Sequence, residues 1–521
     1  MASHDVKPLD SSKQIEAAQG DFSHSDNVEV DNGTLTKDLN RLPQNFTAKE
    51  ERTCLRKIDL WLMPIIVVTY GLQYVDKVIL NGASQFGIIQ DLDLYTVAGL
   101  DEQTHKPILN LHRFSLVTLI FYWGYLAGAV PAAFLAQKLP LGKYLAGTVV
   151  IWGAVTMLTA VVSSYPGLMV QRFFLGFCEA GAGPGFSLMI PLFWRREEQP
   201  LRYSVWYMSQ GLGGFLGPMM VYGIGHIKGD LSPWKYQYLI LGAMTVGWGI
   251  IMIFALPNNP ESAWFLKEHE RKVADARIRL ELVTEETKSI KPHQIVEALK
   301  DPKTWLTVVS TYCIHFINGA CSGFGSIIVK SFGYSPFKSV LLTGCAGIYL
   351  LVVLAITGWA ANYLRNIRAI IWCICELFVI AGAALTWKVQ WAPDHSAALA
   401  GFFLLFTFPP SYTMLLSLVG SNTGGYTKKV FVMGLVWMAY CISNGTAPLF
   451  IKTTEVKEHY PSLFQGALTT AALSVVCSLA MRIYLVRENK KRDQNLDAAI
   501  RDGAIAHDLT DWENPHFRYT L

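Results

Sequence analysis

A chain of 521 residues that is 51% hydrophobic and only 16% charged, with a mean hydropathy of +0.29, is too apolar for a water-soluble protein of that size. The lipid bilayer is therefore its first expected partner. A net charge of +4 is small, needs no nucleic-acid partner, and is what an uneven placement of Lys and Arg around membrane spans would leave.

The first 45 or so residues are polar, mixed in charge and without an apolar h-region, so 1–55 reads as a disordered cytosolic tail and not a cleaved signal. Asn32-Gly-Thr and Asn45-Phe-Thr match the glycosylation acceptor pattern, but on this reading both face the cytosol and stay unmodified.

Beyond the tail the apolar residues fall in runs of about 20, enough to cross about 30 Å of hydrocarbon at 1.5 Å per residue. Spans are predicted near 59–80, 112–136, 144–163, 167–191, 202–226, 236–256, 304–329, 338–359, 367–388, 396–420, 430–452 and 464–486, which makes twelve. Ser115 to Ala136 and Val430 to Leu449 are continuously apolar or small, which excludes the alternation of a membrane β-barrel. The predicted fold is all-α: an N-terminal six-helix bundle (56–256), a charged central loop (257–303) with surface-helix character over Trp264 to Leu280, a C-terminal six-helix bundle (304–487), and a cytosolic tail (488–521).

Lys and Arg crowd the loops that share a side with the termini, among them Arg56, Lys57, Lys138, Lys143, Arg195, Arg202, Arg365, Arg368, Lys428 and Lys429, and are sparser on the other side. Both termini are therefore expected in the cytoplasm, with the plasma membrane as the default address. The nine cysteines form no CxxC pair and lie almost entirely within predicted spans. Free thiols are expected, with no disulfide framework, metal or cofactor.

A charge in hydrocarbon costs at least about 2.5–3.5 kcal/mol unless paired or hydrated, so intramembrane charges mark function. The clearest are Asp76 and Lys77 in the first span and Arg172 and Glu179 in the fourth. Seven residues separate Arg172 from Glu179, which puts them on one helix face roughly 10 Å apart. The competing reading makes Asp76–Lys77 and Arg172–Glu179 structural ion pairs. Tyr74, Tyr122, Tyr125, Asn318, Asn422 and Asn444 are polar candidates for fixing a ligand, with Tyr125 and Asn422 favoured. His315 is expected to be neutral and hydrogen-bonded, and Glu376 has no assigned role. Gly181-Ala-Gly-Pro-Gly185 and Gly211-Leu-Gly-Gly214 have neither an adjoining strand nor a P-loop lysine, so they are packing and bending elements, not nucleotide sites.

The layout of six plus six spans resembles the major facilitator superfamily. Ala136-Gln-Lys-Leu-Pro-Leu-Gly-Lys143 and Gly358-Trp-Ala-Ala-Asn-Tyr-Leu-Arg-Asn-Ile-Arg368 look like degraded copies of its basic, glycine-containing loop motif at matching points of the two halves. Tyr74-Val-Asp-Lys77, and Arg172 followed by Glu179, are similar to the anion:cation symporter family and especially its fungal allantoate permease branch, with Lys77 where the family commonly has Arg. Pro260-Glu-Ser-Ala-Trp264, Asp301-Pro-Lys-Thr-Trp305 and Ser421-Asn-Thr-Gly-Gly-Tyr-Thr-Lys428 extend that resemblance over residues 55 to 490 or so.

The resemblance implies proton-coupled uptake of a small organic anion, allantoate-, nicotinate- or pantothenate-like. Lys77 and Arg172, with Tyr74, Tyr125 and Asn422, would bind the anion, while Asp76 and Glu179 would hold the proton in turn. Two further classes stay open. An exporter is hinted at by Gly213-Gly-Phe-Leu-Gly-Pro218, which resembles the start of an antiporter motif but continues with Met219, Met220 and Val221. A non-transporting nutrient sensor on the same scaffold would be expected to carry a longer signalling tail. No nucleophile–base, metal or cofactor constellation points to an enzyme.

Overall fold

The computed structural model describes residues 47–100, 107–195, 198–282, 291–364, 366–391, 395–494, 509–514 and 517–521. Asn32, Asn45 and most of the predicted N-terminal tail lie outside them.

The first spanning helix, α1 (Ala48–Ala83), starts earlier than predicted because Thr47 and Glu50 form a reciprocal capping box. Glu50 N–H donates to Thr47 Oγ1 at 3.3 Å, and Thr47 N–H donates back to Glu50 Oε2 at 2.8 Å. Residues 48–55, placed in the tail by sequence, are therefore helical.

The remaining spans are α2 (His112–Lys138), α3 (Leu141–Leu158), α4 (Tyr165–Phe193), α5 (Gln199–Ile224), α6 (Pro233–Ala255), α7 (Pro302–Ser331), α8 (Pro336–Tyr363), α9 (Arg368–Lys388), α10 (Ser396–Asn422), α11 (Tyr426–Thr446) and α12 (Pro461–Gln494). Eleven of the twelve are both long and apolar enough to cross a membrane. The exception is α5, 26 residues long, whose first half carries Arg202, Tyr203, Ser204, Tyr207, Ser209 and Gln210. It is sheltered from lipid on two sides, packing against α1 in its own bundle and α8 in the other.

Helix pairing repeats between the halves. In the first, α1 packs on α5 and α3 on α6; in the second, α7 packs on α11 and α9 on α12. The bundles meet through α5–α8, α2–α11 and α1–α7. At α5–α8 the backbones come so close that a Cβ on Gly347 would lie 2.5 Å from Phe215 N and 2.6 Å from Gly214 C.

Two spans are interrupted at matching places. In α4 the helix breaks at Ala180–Gly181, and in α10 at Phe406–Thr407. Proline accounts for both: the ring of Pro184 would clash with the carbonyl of Ala180, and those of Pro409 and Pro410 with the carbonyls of Leu405 and Phe406.

The two faces of the molecule differ. Between α1 and α2 lies an antiparallel hairpin of β1 (Thr96–Leu100) and β2 (Pro107–Asn110), absent from the sequence reading because each strand is too short to show a period. On that side the bundles are sealed together: Asn81 Oδ1 accepts from Ser326 N–H at 2.8 Å, Ser115 Oγ donates to Pro448 O at 2.9 Å, and the Phe114 and Phe324 rings meet edge-on at 4.9 Å.

The termini side carries the surface helices Glu268–Leu282 and Pro292–Lys300. From the first, fully buried Arg277 reaches Glu51 at 3.0 Å and Glu198 at 2.5 Å, tying the starts of α1 and α5 together. The end of the chain is also fixed there. Residues 509–514 and 517–521 lie under the second bundle, with the fully buried Asp511 carboxylate between Lys303 of α7 and Lys428 of α11, the latter at 2.7 Å. Arg492 of α12 donates to the carbonyls of Asp511, Asn514 and Phe517.

Candidate functional site

A cavity lies between the bundles, beyond the seal and next to both helix breaks. Discontinuous spans at corresponding points of two repeats are where transporters of this build place their sites. From the first bundle its wall is one face of α1, with Tyr70, Gln73, Tyr74 and Lys77 spaced i, i+3, i+4 and i+7, joined by the sequence candidate Tyr122 of α2 and by Tyr207 and Gln210 of α5. From the second it is His315, Asn318 and Ser322 of α7, with Phe408 and Tyr412 of α10 and Trp437 and Tyr440 of α11.

Of the four charges singled out by sequence, Asp76, Arg172 and Glu179 are buried and Lys77 is partly so, but they do not pair as chain neighbours. Lys77 faces the cavity wall and its Nζ is 3.3 Å from Glu179 Oε1. It also sits 5.4 Å from the centroid of the Tyr125 ring, on whose negative face a cation is attracted. Glu179 is fully buried and is the last residue of α4 before its break.

Asp76, one residue earlier on α1, points about 100° away round the helix. Its Oδ2 accepts from the indole N–H of Trp152 and from Thr156 Oγ1 at 3.2 Å, both on α3. Its Oδ1 has no hydrogen-bond partner among the described residues.

Arg172 faces away from the cavity, where Nη2 donates to the Tyr238 hydroxyl of α6 at 2.7 Å. The expectation that Arg172 and Glu179 line one cavity is thereby corrected: the seven-residue spacing holds, but Arg172 turns into the bundle interior. Asn422 needs a larger correction. It sits at the termini end of α10, where Nδ2 donates to Thr520 O at 2.8 Å and Oδ1 accepts from Thr520 N–H at 2.7 Å, so its amide docks the chain end and is absent from the cavity wall.

Of the predicted site residues the structure thus gathers Tyr74, Lys77, Tyr125 and Glu179, sets Asp76 and Arg172 behind them, and removes Asn422. Sequence reasoning missed Tyr70, Gln73, Tyr207, Gln210, Tyr412 and Tyr440. Scanning α1 for polar and aromatic residues at i, i+3, i+4 and i+7 would have found the first two.

Chemically the site offers a cation whose counter-ion is a buried carboxylate, surrounded by aromatic faces and amide groups. An anion drawn to Lys77 meets the Glu179 carboxylate already beside it.

The sequence profile of the Major Facilitator Superfamily matches residues 66–448. The chain is 31% identical to the allantoate permease of Saccharomyces cerevisiae, over 91% of this chain and 87% of that protein. It is 32% identical to uncharacterized transporter C757.13 of Schizosaccharomyces pombe, over 91% and 88%. In fold it is similar to a D-xylose-proton symporter, with a TM-score of 0.59, 13% identity and coverage of 81% of this chain and 97% of that one. A bacterial homologue of the lysosomal transporter Spinster, inward-facing, gives 0.57 at 12% identity, covering 82% and 96%. The family and these relatives are transporters, not enzymes. The chain is a multi-pass membrane transporter and belongs to the major facilitator superfamily.

Proposed function

We propose that this transporter imports a small organic anion together with a proton by alternating access. The observation that carries the reading is the Lys77–Glu179 ion pair beside the cavity. A substrate carboxylate that takes over the Lys77 ammonium strips Glu179 of its counter-charge. A proton is the smallest species that neutralises the buried carboxylate left behind, so anion and proton binding favour each other, and by linkage the effect is reciprocal. Release on the other side restores the pair.

In this scheme Lys77 holds the substrate carboxylate, Tyr74 and Tyr125 orient it, and Glu179 carries the proton, with the free Oδ1 of Asp76 as the second proton-accepting position. Arg172 supports the set from behind through Tyr238. The paired breaks in α4 and α10 supply the bending that lets the bundles rock about the site. An organic anion of the allantoate type is favoured by the yeast relative's name. The Lys and Arg bias supports cytoplasmic termini, and in this reading the protein works in the plasma membrane.

The test is uptake of small carboxylates and ureides into proteoliposomes with the interior alkaline. Gradient-driven accumulation lost in Glu179→Gln and in Lys77→Met supports the proposal. Undiminished accumulation in Glu179→Gln would remove that carboxylate from coupling, and efflux of larger apolar compounds in place of anion uptake would overturn the import reading.

A further inference from the structure

The cavity wall opposite Lys77 carries two hydrogen-bond acceptors that no described group of the protein uses. His315 and Asn318 stand three residues apart on α7, hence on one face, and both line the cavity. His315 is 3% exposed and Asn318 9%.

The orientation of each is forced by its neighbours. His315 Nδ1 lies 3.0 Å from Thr311 O, and since a carbonyl only accepts, Nδ1 carries the hydrogen. In the neutral imidazole that leaves Nε2 as an acceptor. The ring cannot turn freely, being wedged edge-to-face against Tyr412 and Tyr440 with centroids 4.2 and 4.7 Å away.

For Asn318 the logic runs through a second amide. Fully buried Asn444 donates Nδ2 to Tyr440 O at 2.8 Å, which turns its Oδ1 toward Asn318. Asn318 Nδ2 donates to that oxygen at 2.7 Å, so Asn318 Oδ1 is left over on the cavity side.

Two acceptors that open onto a cavity between the bundles, and that no described group of the protein satisfies, leave hydrogen bonds for a bound ligand's N–H or O–H groups to make, and a ligand that covers them without donating leaves them unmet. Together with the cation on the facing bundle they describe a ligand with two unlike ends. We propose that His315 and Asn318 form a donor-recognition subsite, which selects organic anions carrying N–H or O–H groups at the end remote from the carboxylate and rejects equally sized anions that end in a methyl group. The proposal rests on the anion reading above and adds to it the discrimination between anions. It also gives the second bundle a hold on the substrate, so that a ligand satisfying both ends bridges the two halves.

The experiment uses the full chain in proteoliposomes and two probes, N-carbamoylglycine and N-acetylglycine. They share length, carboxylate and central amide and differ only in a terminal NH2 against CH3. The wild type is expected to prefer the carbamoyl compound by about tenfold or more in kcat/KM, the size of effect that an unmet buried acceptor produces. His315→Phe, which keeps a ring between Tyr412 and Tyr440, and Asn318→Leu should each bring the preference down to about threefold or less. His315→Gln, which restores an acceptor, should retain more of it than His315→Phe.

Equal uptake of the two probes, uptake of neither, or a preference unchanged in both His315→Phe and Asn318→Leu would overturn the subsite. The anion reading is tested separately by Lys77→Met. Equal wild-type uptake of both probes that is lost in Lys77→Met overturns the subsite alone, whereas uptake indifferent to Lys77→Met overturns the anion reading.

Discussion

Lys77 of α1 pairs with Glu179 of α4 at 3.3 Å, and not with its own chain neighbour Asp76. The pair crosses between two helices at the edge of the cavity, and both members are removed from bulk water. Removing one partner leaves the other as an uncompensated buried charge. Lys77→Met alone should therefore cost about 3–5 kcal/mol, and Lys77→Met combined with Glu179→Leu should cost distinctly less. Denaturation of the purified protein, read as a double-mutant cycle, checks this. Additive losses would show that the two groups do not interact.

Asp76 is held by two donors from α3, and its replacement should separate shape from charge. Asp76→Asn keeps an oxygen for Trp152 and Thr156 and should fold with a loss of about 1 kcal/mol or less. Asp76→Leu strands the Trp152 indole N–H, while the Thr156 hydroxyl can turn to Trp152 O at 3.1 Å, and should cost about 1–3 kcal/mol. Thermal unfolding of the two variants side by side reads the difference. If proton-coupled uptake also falls in the well-folded Asp76→Asn, the carboxylate is needed for more than packing.

The chain end is a strap across the second bundle. Burial pushes the Asp511 carboxyl up, but the Lys303 and Lys428 ammoniums beside it more than reverse this and hold it below its ordinary value. The sign follows: docking is stabilised at all pH values above the ordinary carboxylate value of about 3.9, and that stabilisation is lost as pH falls below it through the folded value. Hydrogen exchange of residues 509–514 and 517–521 should be slow and flat from pH 5 to 8 after correction for the intrinsic rate. Asp511→Ala should free the segment throughout this range. Protection that is already lost between pH 7 and 5 would show that another group controls docking.

At the α5–α8 crossing, Gly347 lies against the backbone of Gly214 and Phe215. A methyl group there meets main chain, which cannot rotate away, so Gly347→Ala must push the helices apart. An overpacking cost of about 1–3 kcal/mol is expected, borne by the contact between bundles and not by either bundle's own core. Uptake should fall while the helix content by circular dichroism is unchanged. Full activity in Gly347→Ala would mean that the crossing is not close in the working states.

Much of this was legible in the chain. Runs of about 20 apolar residues specify spanning helices because lipid offers backbone groups no alternative partner, and their number and the long central break specify the 6+6 plan. Lys77 and Glu179 were legible because charge in hydrocarbon is costly and therefore rare. Belonging to a family-like motif did not mean a place in the site, however. Asp301, Lys303 and Lys428, all within stretches that carry the family resemblance, converge on one cluster with Asp511 on the termini side, and Trp264 packs its ring against Trp61 at 4.7 Å. These motifs brace helix ends. Asn422 read as a binding group for the same reason that it docks the chain end: a short amide suits either task, and only its neighbours decide.

The sequence by itself determined the solvent, the helix count, the division into two halves and the presence of charge inside the membrane, because each follows from the local hydration free energy of a stretch of chain. It could not determine which charge faces which, since adjacent residues on a helix diverge by about 100° and a partner may come from any neighbouring span. The tertiary structure decided that Asp76 turns to α3, Lys77 to Glu179, Arg172 to Tyr238 and Asn422 to the chain end. Those choices depend on how ridges of small and large side chains pack between helices far apart in sequence, and that information exists only when the bundles are assembled.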